Sequence, residues 1–180
     1  MAIPLDDTLH PDIRPLAWLV GEWSGTGAAQ LTGDDGEEHG RRIEQRVTVS
    51  HSGTPELTWS MQTWLLRTDD DGPERELLMK ERGTWTTTGL LPGQNEEAAA
   101  AAPAGSPESY LSHGVRFTVD GGETWNGEVR GPRLHVGAQA DGRFFTRMFG
   151  MIGPRIMWLQ EAGDSPTNLS PTLSVELDRS

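Results

Sequence analysis

Short runs of alternating polar and apolar residues recur along most of this chain, separated by turns rich in Gly, Asp and Pro. The run at 57–66 shows the pattern clearly, because alternate positions on one face of a strand would hold Leu57, Trp59, Met61, Thr63 and Leu65. Similar runs predict strands at Arg42–Ser50, Leu77–Thr88, Val115–Val119, Thr124–Arg130, Arg133–Ala138, Arg143–Gly150, Arg155–Glu161 and Leu173–Leu177. Many short strands joined by hairpin-length turns predict an all-β protein, an antiparallel up-and-down barrel of about ten strands.

Two segments fall outside this pattern. Pro11 to Leu19 predicts a short N-terminal helical turn that packs as a lid or plug before the first strand. Residues 91–107 contain five consecutive alanines bounded by Gly- and Pro-rich sequence, with no β alternation, so we predict a mobile loop there. The whole chain, 1–180, is predicted to form a single barrel domain.

The first strand carries the most informative motif, G-E-W-S-G-T-G at 21–27. Gly21, Trp23, Gly25 and Gly27 lie at alternate positions and would share one face of the strand. Glycine in a strand interior costs stability and often marks close approach of another backbone or ring. We therefore expect a crowded inner face with Trp23 closing one end of the barrel.

The amino-acid composition and net charge of the chain exclude several classes of function. The 180 residues contain no Cys, which excludes disulfides, iron–sulfur clusters and thiolate-bound zinc or heme. A formal charge of −12 disfavours nucleic acid and anionic membrane surfaces as partners. The first twelve residues contain three acids and no basic region, so no signal peptide is expected. Together these observations predict a cytoplasmic protein.

Five segments match a known family in the same order along the chain. They are the 21–27 heptad, V-S-H-S-G-T-P-E-L at 49–57, E-R-G-T-W at 81–85, Met157-Trp158, and S-P-T-L-S-V-E-L at 170–177. On these residues the chain resembles the nitrobindin family, ten-stranded relatives of the lipocalin-like fatty-acid-binding-protein barrels. The resemblance covers about residues 10 to 178, apart from 91–107, and it implies a barrel with a cavity and a homodimer.

The resemblance also concerns heme. Family members hold ferric heme b in the barrel mouth through one His in a closing-strand pattern P-H-L-S-A-x-L, and the matching run here is Pro171 to Leu177. Thr172 occupies the His position, and a hydroxyl is a poor iron ligand compared with imidazole. The main prediction is therefore a barrel that needs no cofactor, is not an enzyme, and binds a small apolar or amphipathic ligand.

Two alternatives stay open beside that reading. In the first, the chain still binds heme b through another group and acts on nitric oxide and peroxynitrite as a peroxynitrite isomerase. In the second, Trp and Met side chains fill the barrel, which serves as an interaction scaffold. An absorbance spectrum with and without added hemin would separate the alternatives.

Few polar residues suggest chemistry. His51 matches a family pattern at a tight turn and is either a polar group at the pocket rim or a turn His bonded to backbone. His135 lies in a predicted strand and is the candidate replacement for the missing iron ligand, although no His has metal-ligand spacing. Glu81 shares a strand face with Gly83 and Trp85, and if buried it would need Arg147 or Arg155 as a partner. No catalytic residue and no metal site are assigned.

Overall fold

The computed structural model describes residues 7–69 and 72–180, with the side chains of 68, 69, 72 and 73 left out. The Asp-rich sequence at 69–73 predicts a turn, of which residues 70 and 71 lie outside the described residues, as do residues 1–6.

Ten antiparallel strands form a closed barrel in which each strand pairs with its neighbours in sequence and β1 pairs with β10. The strands are β1 Gly21–Thr32, β2 Glu38–Ser50, β3 Leu57–Asp69, β4 Gly72–Leu90, β5 Ser112–Val119, β6 Thr124–Arg130, β7 Arg133–Ala140, β8 Arg143–Ile152, β9 Arg155–Ser165 and β10 Asn168–Arg179. The predicted all-β, up-and-down barrel is confirmed. No helix among the described residues is long and apolar enough to cross a membrane.

One end of the barrel is closed by a 3₁₀ helix, Pro11–Leu19, where the sequence predicts a helical plug. Ile13, Leu16 and Leu19 are fully buried under it. The indole of Trp23 on β1 donates a hydrogen bond to the Leu19 carbonyl at 2.8 Å, so the helix is tied directly to the first strand. We call this the closed end, and the opposite end, formed by the hairpins at 33–37, 120–123, 141–142 and 166–167, the mouth.

Aromatic rings fill the half of the barrel next to the closed end. Trp85 stacks on Phe117 with ring centroids 4.4 Å apart, and Phe149 stacks on Trp158 at 5.1 Å. The edge of Trp59 contacts the rings of both pairs through Phe117 and Phe149. The space enclosed near Leu19 and Trp23 has no room for a water molecule, so any ligand site inside the barrel lies toward the mouth.

The glycine motif is crowded by the backbone of a neighbouring strand, one of the two close approaches that the sequence predicts. A Cβ added to Gly25 would lie 1.9 Å from the backbone oxygen of Glu176, and one added to Gly27 would lie 2.0 Å from that of Ser174. Both oxygens belong to β10, which pairs with β1. The two glycines therefore permit close approach of the adjacent strand, whose backbone supplies the nearest atoms to both positions.

The segment predicted as a loop is partly structured. Glu96–Ala101 forms a short helix, α1, whose first turn is capped by the Asn95 side chain and whose Ala99 is buried. A single 3₁₀ turn, Pro107–Ser109, follows it. Alanine has the best helix propensity, and Asn is a preferred cap, so these local preferences explain the helix without any apolar periodicity.

Candidate ligand site at the mouth of the barrel

A buried ion pair spans the lumen on the mouth side of the aromatic core. Arg147 on β8 donates two parallel hydrogen bonds, of 2.9 and 2.7 Å, to the carboxylate of Glu81 on β4. Both side chains are more than nine-tenths buried. The Arg147 guanidinium also lies 4.3 Å from the ring centroid of Trp125, and Trp59 donates to Glu81 at 3.1 Å. Pairing, hydrogen bonding and ring contacts together compensate two charges removed from water.

A second connection crosses the lumen nearby. Trp158 on β9 donates its indole N–H to the amide oxygen of Gln45 on β2 at 2.8 Å, and the Gln45 amide nitrogen donates to the Thr63 hydroxyl at 2.9 Å. Gln45 and Thr63 are completely buried. Every group in this set has a partner, which is the condition for keeping polar atoms in a core.

Thr172 joins this polar layer from β10. The strand is bulged there: Pro171 pairs with Glu161 and Leu173 with Gln160, so Thr172 is the extra residue. Its hydroxyl donates to the Gln160 carbonyl at 3.2 Å and accepts from the Gln160 amide at 3.4 Å. The Gln160 side chain in turn accepts from Arg147 at 2.9 Å, so Thr172 is linked through Gln160 to the buried ion pair.

Small and apolar side chains line the barrel wall between this polar layer and the mouth. They include Ala29, Leu31, Ala138, Ala162 and Leu173, all of which are buried or packed against the core. The polar layer and this wall bound the mouth half of the lumen, and we refer to that part of the barrel as the mouth pocket. A polar floor with apolar sides is the usual composition of a small-molecule site.

The rim of the pocket carries an imidazole and a guanidinium on β2. His39 pairs directly with Leu31, and Arg41 with Ala29, so both residues share the inner face with those apolar partners. The His39 ring nitrogen Nε2 lies 2.9 and 3.1 Å from the two carboxylate oxygens of Asp35. Hydrogen bonds from the backbone N–H of Glu37 and from His39 hold the pKa of Asp35 below its usual value.

The structure separates the other candidate residues from this pocket. His51 follows β2 at the closed end, far from Thr172 along the barrel axis. His135 is exposed on the outer face of β7, opposite Met148, and cannot serve the lumen. Gly21, Trp23, Gly25 and Gly27 shape β1 and the closed end. Of the two partners considered for Glu81, Arg147 is correct, because Arg155 pairs outside the barrel with Glu176 and Asp178.

Sequence reasoning missed most of the pocket floor. Gln45 and Gln160 occupy inward positions of apolar strand faces, and a polar residue at such a position is a detectable signal. His39 was set aside with the other histidines because none has metal-ligand spacing, and the predicted strand began at Arg42, whereas β2 begins at Glu38.

A ten-stranded antiparallel barrel that a short helix plugs at one end and a polar layer crosses inside is a barrel of the lipocalin-like type. A family model described as the THAP4-like, heme-binding beta-barrel domain matches residues 12–179, so the chain belongs to this family, the nitrobindin family.

Similar proteins carry two names. The chain is 30% identical over 182 residues to a peroxynitrite isomerase of Pseudarthrobacter chlorophenolicus, covering 88% of this chain and 87% of that protein. It is 30% identical to a ferric nitrobindin-like protein of Kineococcus radiotolerans, with coverage of 88% and 87%. The crystal structure of Rv2717c from M. tuberculosis superposes with a TM-score of 0.59 at 19% identity, covering 96% of this chain and 99% of that one, which supports the fold.

These comparisons correct the prediction on function and, with it, the prediction that no cofactor is needed. The sequence favoured a barrel without a cofactor and without heme because Thr172 stands at the family's His position. That prediction is wrong, because the matching family model describes a heme-binding domain and the relatives include peroxynitrite isomerases. The alternative reading, a heme barrel that acts on peroxynitrite, fits the findings better.

Proposed function

We propose that this protein binds heme b in the mouth pocket and isomerises peroxynitrite to nitrate. The observation that carries the proposal is the match of residues 12–179 to a heme-binding barrel domain, together with relatives named for the isomerase reaction. Peroxynitrite and nitrate have the same atoms, so the reaction needs no reductant or second substrate.

The residues present fit a heme in three respects. The walls offer apolar side chains to the porphyrin, as the packing of Leu31 and Leu173 against the core shows. Arg41 on the rim offers a guanidinium to a propionate, a pairing favoured by geometry and charge. His39 on the same strand offers an imidazole, the commonest protein ligand of heme iron. Bound there, heme would supply a Lewis-acidic iron for the substrate anion.

The chain's own residues would set the surroundings of that iron. Arg147 is neutralised by Glu81, so the floor adds no net charge that would hold the product anion. The Thr172 hydroxyl and the Gln160 amide offer hydrogen-bonding groups next to apolar walls. Such groups orient a small polar ligand, while the aromatic core below them excludes water.

The wider proposal includes a cytoplasmic homodimer without nucleic acid or membrane partners. The net charge of −12 supports the absence of polyanionic partners. A groove of about 700 Å³ on the outer face of β6–β10 supports the dimer, because it carries the exposed apolar residues Met148, Ile152 and Met157.

Hemin titration tests the proposal directly. The purified protein should take up one hemin per chain with a saturable Soret change, and the loaded protein should speed the loss of peroxynitrite with nitrate as product. Free hemin at the same concentration and the heme-free protein are the controls. Absence of saturable hemin uptake, or peroxynitrite loss no faster than with free hemin, would contradict the proposal.

A further inference from the structure

One histidine stands at the mouth among the five that the chain contains, all of which the structure describes. His10 and His51 lie at the closed end, beside the 3₁₀ helix and after β2. His113 lies near the closed-end start of β5, and His135 faces outward from β7. His39 alone combines a position near the mouth with a place on the inner face of the wall.

His39 and Thr172 flank the same strand. β1 pairs with β2 on one side, where Leu31 is opposite His39, and with β10 on the other, where Ala29 is opposite Leu173. The two positions are therefore two strands apart at a similar height in the barrel. By strand alternation His39 lies on the inward side of β2, and its ring sits beside the 33–37 hairpin at the rim of the mouth.

The His39 ring is also held in place. Its Nε2 is bonded to Asp35, whose Oδ1 accepts a further hydrogen bond from the backbone N–H of Glu37 at 3.0 Å. The ring lies over Gly33, where an added Cβ would come within 2.8 Å of it. Nδ1 of His39 makes no hydrogen bond with any residue that the structure describes. Metal-ligating histidines usually have this arrangement, with one ring nitrogen on a carboxylate and the other on the metal.

We propose that His39 supplies the axial imidazole to heme iron through Nδ1, with Asp35 as its positioning residue. The inference rests on the proposed function, and it explains how a member of a heme-binding family could retain the cofactor with Thr172 at the family's ligand position. Neutral imidazole suits ferric and ferrous iron far better than a hydroxyl already engaged by Gln160. The ligand has moved from β10 across β1 to β2.

The test compares hemin-loaded wild type with His39→Ala and with His135→Ala, a matched control on the outer face. The readouts are hemin affinity and the iron–imidazole stretching band of the ferrous protein in resonance Raman spectra. We expect His39→Ala to lose that band and bind hemin more weakly, added imidazole to restore the band, and His135→Ala to match wild type. Asp35→Asn should keep the band at a shifted frequency and weaken hemin binding about ten-fold.

The outcomes separate this inference from the function on which it rests. If wild type binds hemin and His39→Ala keeps the same band, the inference is wrong while the proposed function stands. The inference is also wrong if His39→Ala lowers thermal stability but leaves hemin affinity and the band unchanged. His39 and Asp35 would then serve only as an ion pair that stabilises the 33–37 hairpin. If wild type takes up no hemin, the proposed function itself fails. His39 is a partly exposed residue, so its replacement by Ala should leave folding intact, which far-UV circular dichroism would check.

Discussion

At the scale of single residues, the strongest constraint in the barrel is the closeness of β1 to β10. Glycine at 25 and 27 removes the Cβ atoms that would otherwise overlap carbonyl oxygens of the neighbouring strand. Glycine lowers the strand propensity of β1 at these two positions. In return it lets β1 lie close enough to β10 to close the barrel.

This closeness predicts the effect of adding one methyl group. Gly25→Ala should lower the free energy of unfolding by about 1–3 kcal/mol or more, because the obstacle at 1.9 Å is backbone and cannot rotate away. Gly150→Ala is the matched control: it also lies in a strand, but nothing is within 4 Å of its added Cβ. That control should be neutral or stabilising by up to about 1 kcal/mol. Equal denaturant midpoints for the two variants would contradict the prediction.

The alternation of apolar and polar residues predicted which strand positions face the core, but it did not predict the buried polar layer. Trp59, Met61 and Thr63 share the inner face of β3 as the alternation indicated. The partner of Glu81 was narrowed to two arginines, and only the barrel's closure distinguishes Arg147, which faces it across the lumen, from Arg155 on the outside. Such pairings depend on strand register around the whole ring, which local sequence does not encode.

At the scale of elements, the strand ends are longer than the apolar alternation. β4 extends from Gly72 to Leu90 where the pattern predicted Leu77 to Thr88, and β10 from Asn168 to Arg179 where it predicted Leu173 to Leu177. The added residues pair with neighbouring strands beyond the core. Hydrophobic alternation reports only the part of a strand that covers the core, so hairpins projecting past it are underpredicted.

The α1 connection gives a prediction at this scale. Replacing residues 96–106 with a Gly-Ser segment of equal length should lower the free energy of unfolding by less than about 1 kcal/mol, because loop length and therefore closure entropy are unchanged. Gln94, whose side chain accepts from the Ser112 N–H, stays in place, as does Pro107, whose carbonyl accepts from Arg130. Limited proteolysis should cut the native chain first within 96–106. A loss of several kcal/mol would mean that buried Ala99 anchors the segment to the barrel.

At the scale of the whole molecule, the outer face of β6–β10 gives a prediction about assembly. Ile152→Asp should convert the proposed dimer to a monomer in sedimentation velocity, with little change in melting temperature, because Ile152 is 64% exposed. Leu77→Asp is the matched control, since Leu77 is 47% exposed and lies on β4, opposite Trp64 of β3 and away from the groove. A wild-type monomer, or dissociation by both variants alike, would contradict the dimer on this face.

Two side-chain connections cross the lumen: Trp158 bonds to Gln45, and Arg147 bonds to Glu81. They join β9 to β2 and β8 to β4, so the cross-section of the barrel is fixed at that height and the mouth pocket has a set depth. A ligand cannot widen the barrel at this height or enter more deeply without breaking the Arg147–Glu81 or the Trp158–Gln45 hydrogen bonds, which are costly to break in a buried site. The depth of the mouth pocket therefore limits how far a ligand can enter. A planar molecule longer than this depth must leave one edge in solvent, and we expect its charged substituents to lie at that edge.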